Sequence, residues 1–159
     1  MTIATPEAAV EADGPTSTSS PFTRVLGILC LLGVAALLAF GLVWSGPDVV
    51  QGDSVRIMYV HVPVAIVAFL AFGVTAFGSA MYLWRRSQFW DLTAGASAEI
   101  GVVYTSLTLV TGMLWGRPTW GVYWVWDARL TTTALLLVLF LGYLAVRRIP
   151  SDPDVRAKR

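Results

Sequence analysis

Four of the chain's seven tryptophans, Trp115, Trp120, Trp124 and Trp126, fall within twelve residues. Even scatter would place about half a tryptophan in such a window, taking the composition as its own reference. The same stretch carries Arg117, Asp127 and Arg129, with Gly116, Pro118 and Gly121 between the aromatics. Flat indoles beside guanidinium groups suit a large planar ligand with acidic substituents. The rings stack on the plane and arginine pairs with the carboxylates. Haem, a porphyrin bearing propionates, has that shape and charge. An interfacial belt, with Trp at headgroup level, is the competing account of the same aromatics, although it needs neither the glycines nor the arginines.

His61 is the single histidine. Just ahead of a helix it would serve as a capping or interfacial residue, or its neutral imidazole would ligate haem iron axially. Asp127 is a suitable N-cap for a following helix. Arg117 and Arg129 suit phospholipid headgroups as well as propionates. Glu99 is an acid inside an apolar segment, which makes it a functional candidate of the membrane interior. If its helix starts late, it is instead a residue that reaches water. Small residues at Gly101, Thr105, Thr108 and Gly112 share one helix face and read as a packing seam without chemistry.

The elements that must position these residues follow from composition. Of 159 residues, 56% are hydrophobic and 13% charged, against roughly 25% charged in a soluble domain, and the mean hydropathy is +0.68. The apolar residues lie in four blocks, each long enough to cross a bilayer at about 20 residues. The expected fold is all-α: a polytopic membrane protein with four transmembrane helices at about 25–44, 63–84, 92–114 and 128–146. Pro63 is placed in the first turn of the second helix, where its missing N–H costs nothing, and Asp91 as a cap of the third. Residues 115–127 form an external tryptophan-rich loop within a membrane domain of residues 22–148. A disordered tail, 1–21, precedes that domain and a basic tail, 149–159, follows it.

Lysines and arginines number eight on the side of the termini and the second loop, against three in the other loops. The positive-inside rule then puts both termini in the cytoplasm, and His61 with the aromatic loop on the outer face. A net charge of +1 argues against nucleic acid as a partner, and the lone Cys30 excludes an intrachain disulfide, a CxxC pair and covalent CxxCH haem attachment.

The run from Trp115 to Thr131 resembles the WWD signature of the haem-handling membrane proteins of cytochrome c biogenesis. With Arg56–Pro63 and Ala96–Tyr104, it is most similar to the haem exporter protein C family, over about residues 50–148. The resemblance implies non-covalent, transient binding of haem b at the outer face of a bacterial cytoplasmic membrane. It also implies presentation to a haem chaperone, assisted by ATP-binding cassette components. His61 matches the family's first axial histidine, and the aromatic loop its haem platform. The family pattern has six helices and a second histidine between the last two. These 159 residues hold four apolar spans and one histidine. The expectation is therefore a chain two helices short of the pattern, with a second ligand from a partner or second copy, or with one protein ligand. The competing functions are a subunit of a cytochrome c synthetase and a structural subunit of a membrane transporter that binds no haem.

Overall fold

The structure, a computed structural model, describes residues 20–149, so the expected tails at 1–21 and 149–159 lie almost wholly outside the described residues. The described residues form helices and connecting loops, with one isolated β-bridge between Asp48 and Gly52. Among the described residues, four helices are long and apolar enough to cross a membrane. The chain falls into two compact units, one up to Ala36 and one from Leu37 onward.

Helix α1 spans Pro21–Leu38. Pro21 takes the first helical position, and the Ser20 hydroxyl accepts the Thr23 N–H at 3.1 Å, satisfying one of the free amides of the first turn. No residue of α1 is buried. The chain then widens into a π-helical segment, Ala39–Trp44. The Ser45 N–H closes it onto the Phe40 carbonyl at 2.9 Å, and Gly46 and Pro47 end it.

Helix α2 spans Val55–Arg85 and α3 spans Gln88–Trp120. Both are longer than expected, each for a local reason. Helix α2 starts eight residues before Pro63 and runs through it, so His61 lies inside the helix rather than ahead of it. Pro63 removes the one amide that would bond the Tyr59 carbonyl, and packing in a helical bundle tolerates that single lost rung. Helix α3 begins at Gln88 rather than Leu92, with Asp91 in its first turn instead of at its cap. It runs on through Pro118 to Trp120, which places Trp115, Arg117 and Trp120 on a helix and shortens the aromatic loop to 121–127. Gly121, at φ 79°, ends α3 by donating its N–H to the Arg117 carbonyl at 3.0 Å; only glycine takes that left-handed conformation without strain.

Only Arg86 and Ser87 separate α2 from α3, so the two helices form a tight antiparallel hairpin. Its seam is built from small residues, with Ala68, Ala71 and Gly78 of α2 buried against Ala94, Ala98 and Gly101 of α3. A Cβ at Gly101 would come within 2.6 Å of the Phe72 ring, so glycine sets how closely the backbones approach. Ser97 donates its hydroxyl to the Ala71 carbonyl at 2.7 Å across this seam.

Helix α4, Ala128–Arg148, packs on α3. Phe140 stacks on Phe72 with ring centres 4.0 Å apart. At the end of the bundle away from Trp115 and Trp120, Arg147 pairs with Asp91 at 2.6 Å, both side chains largely buried. Arg147 also reaches the Asp91 carbonyl at 3.1 Å.

Candidate ligand cavity

One end of this bundle encloses a cavity of about 730 Å³ walled by α2, α3 and α4. Of the haem-binding candidates singled out by sequence, His61, Trp115, Trp120 and Arg129 border it, as do Thr105, Thr108 and Gly112 of the small-residue seam. Arg117, Trp124, Trp126 and Asp127 do not. The four that meet come from three helices, and they meet because the N-terminal end of α2, the C-terminal end of α3 and the start of α4 share one end of the bundle.

The His61 ring is held on two sides. Its Nδ1 lies 2.9 Å from the Thr111 hydroxyl, and that hydroxyl donates its own hydrogen to the Leu107 carbonyl at 2.7 Å. In the tautomer with the proton on Nδ1, the Thr111 hydroxyl accepts it and the lone pair stays on Nε2. Gly112 supplies the space: a Cβ there would stand 3.1 Å from His61 Cε1. Gly112 thus does more than pack helices, as the seam reading had it.

Trp115 and Trp120 meet edge to face, with ring centres 5.2 Å apart and planes at 82°. The Trp115 indole N–H donates to Gln51 Oε1 at 2.9 Å, which ties α3 to the loop ahead of α2. Gly116 makes room for Trp120, whose Cε3 would lie 3.2 Å from an added Cβ. The Arg129 guanidinium sits 5.8 Å from the Trp120 ring centre, a cation–π distance.

Asp127 caps α4, accepting the Leu130 N–H at 2.8 Å, and pairs with Arg129 at 3.2 Å. The Leu130 amide, with the adjacent Arg129, holds the Asp127 carboxyl below the usual carboxylate range. Arg117 folds back onto the Gly121 carbonyl and over the Tyr123 ring, closing the end of α3. Trp124 and Trp126 form a second edge-to-face pair at 5.5 Å, with Trp126 82% exposed.

Sequence reasoning missed Thr111 and Gln51, the two residues that orient His61 and Trp115. Each lies at least fifty positions from its partner, and neither spacing nor residue type announces such a pairing. Glu99 is exposed on α3 and is absent from the cavity wall.

Fold and cavity together define a multi-pass helical membrane protein with a ligand chamber at one end of its bundle, bordered by one histidine, two indoles and an arginine. The sequence profile of the heme exporter protein C family matches residues 6–159, and the chain belongs to that family. It is 41% identical to a heme exporter protein C of Bradyrhizobium diazoefficiens over 152 residues, 94% of this chain and 57% of the relative. The corresponding protein of Haemophilus influenzae is 45% identical over 131 residues, 82% of this chain and 52% of its own length. That of Paracoccus denitrificans is 39% identical over 142 residues, 86% of this chain and 59% of its own. The chain thus spans about half the length of the curated relatives it matches.

Proposed function

We propose that this chain binds haem non-covalently at the outer face of a bacterial cytoplasmic membrane and hands it on during cytochrome c maturation. The observation that carries this reading is the meeting of His61, Trp115, Trp120 and Arg129 around one chamber, with His61 Nδ1 held 2.9 Å from the Thr111 hydroxyl. The residues present fit the group. A chamber of about 730 Å³ falls within the range of small-molecule sites, and most of its wall is apolar.

Nε2 of His61 is the donor offered to iron from one side. The Trp115–Trp120 pair offers one indole face and one edge to a porphyrin plane. Arg129 is the propionate partner. Its exposed bond to Asp127 is of the kind that contributes little, so exchange for a ligand carboxylate is inexpensive. Haem is cargo here, and no bond-making step is assigned to the chain. His61 would hold one face of the iron and leave the opposite face to a further ligand. The haem chaperone and the ATP-binding cassette components are the partners in this reading, and the side of the membrane rests on the arginine and lysine count.

The test is haem titration of the detergent-purified protein followed by absorption. Wild type is expected to develop a Soret band, His61→Ala to lose its axial signature, and Trp120→Ala to bind more weakly. A wild-type protein that develops no band with haem in excess overturns the reading.

A further inference from the structure

Two hydroxyls of the chamber wall differ from their neighbours in having nothing to bond. Every other serine and threonine of α3 donates its hydroxyl to a backbone carbonyl. Thr105 is 1% exposed, and its Oγ1 has no hydrogen-bond partner among the described residues. On α4, Thr132 returns its hydroxyl to the Ala128 carbonyl, while Thr133 makes no side-chain hydrogen bond among the described residues. A hydroxyl kept from water without a partner is unfavourable, and both threonines border the chamber. Thr105 is enclosed by this chain's own helices, so a partner for it must come by way of the chamber.

The two threonines also lie level with each other. Helices α3 and α4 are antiparallel, and the Asp91–Arg147 pair fixes their register. Thr105 stands fourteen positions beyond Asp91, and Thr133 fourteen positions before Arg147. Each is therefore about 21 Å along its helix from that pair. Arg129 precedes Thr133 by four residues and borders the same chamber, and residues four apart share a helix face. The chamber thus offers one guanidinium and, a turn deeper, two hydroxyls with hydrogens to give. A helical threonine has two side-chain rotamers open to it, and a hydroxyl that makes no bond loses none by turning.

Haem carries two propionates, and Arg129 is the partner of one. We infer that Thr105 and Thr133 form the subsite of the second, each hydroxyl donating to its carboxylate. Hydrogen bonds to an ionised carboxylate are of the strong, charge-assisted kind, and its two oxygens can accept from both threonines. This assignment rests on the haem reading and adds to it a requirement for two carboxyl groups.

The test compares haem with its monomethyl ester, in which one propionate is blocked, by absorption titration of the detergent-purified full chain. Wild type is expected to bind haem about tenfold more tightly than the monoester, the effect of losing one charged hydrogen-bonding group. Thr105→Val combined with Thr133→Val keeps the shape of both side chains and deletes both hydroxyls. That variant should bind the two porphyrins alike, because Arg129 still takes the one free carboxylate. Thr105→Ser combined with Thr133→Ser should restore the preference. A wild type that binds both porphyrins equally overturns the inference and leaves the haem reading standing, as does a preference that survives in the valine variant. A wild type that binds neither porphyrin ends the haem reading and this assignment with it.

Discussion

Nδ1 of His61 lies 2.9 Å from the hydroxyl of Thr111, fifty residues away in the chain and on the neighbouring helix. The same hydroxyl lies 2.7 Å from the Leu107 carbonyl, so one threonine ties the only histidine to the neighbouring helix. Outer partners of metal-binding histidines typically change affinity by about 10- to 100-fold when removed. Thr111→Val, which keeps the shape and deletes the hydroxyl, is expected to weaken haem binding by roughly that factor. Thr111→Ser should restore it. Titration curves of Thr111→Val that superimpose on wild type would show that the bond has no part in binding.

Gly112 and Gly101 lie on the same helix but predict different failures. A Cβ at Gly112 meets the His61 ring at 3.1 Å, so Gly112→Ala should disturb haem binding and leave thermal unfolding near wild type. A Cβ at Gly101 meets Phe72 at 2.6 Å, and Phe72 is stacked on Phe140. Gly101→Ala should therefore destabilise the three-helix unit by about 1–3 kcal/mol, the usual penalty of overpacking. Unfolding and haem titration of both variants separate the two effects.

Arg147 and Asp91 form an ion pair whose side chains are 13% and 4% exposed. Removing the Asp91 carboxylate leaves the buried Arg147 guanidinium without its counter-charge, a change that typically costs about 3–5 kcal/mol. Asp91→Leu and Arg147→Met are each expected to lower the unfolding midpoint sharply. The double variant should recover much of the loss, since a well-packed apolar pair replaces a buried ionic one at little cost. A double variant as unstable as the sum of the singles would contradict this account.

Asp127 predicts a pH effect confined to the start of α4. The Leu130 amide holds its carboxyl below the ordinary value of about 3.9. A lowered folded-state value means that the cap contributes in full above the unfolded-state value and is lost as pH falls through the lower, folded-state one. Hydrogen exchange at the Leu130 amide should therefore lose protection relative to its neighbours below about pH 4. Asp127→Asn, which caps without a charge, should show no such pH dependence.

Much of this architecture is legible locally. Apolar blocks of bilayer length specify four membrane-spanning helices and an all-α fold. The crowding of tryptophan beside arginine marks the region of the chamber, because composition and hydropathy belong to neighbouring residues. Helix ends are less legible. Pro63 reads as a helix start and Pro118 as part of a loop, yet both lie inside helices, since tertiary packing outweighs one missing hydrogen bond.

Residue types alone determined what chemistry the chain can offer: one imidazole, a cluster of indoles, a few guanidinium groups and an isolated acid. Only the tertiary structure decided which of them act together. It brought His61, Trp115, Trp120 and Arg129 to one chamber and left Trp124, Trp126 and Arg117 outside its wall. It supplied Thr111 and Gln51 as their partners, and turned Glu99 outward. The physical reason is the close approach of α2 and α3 at Gly101, Ala71 and Ala98. That contact sets the relative register and rotation of two long helices, and with them every pairing that lies fifty residues apart in the chain.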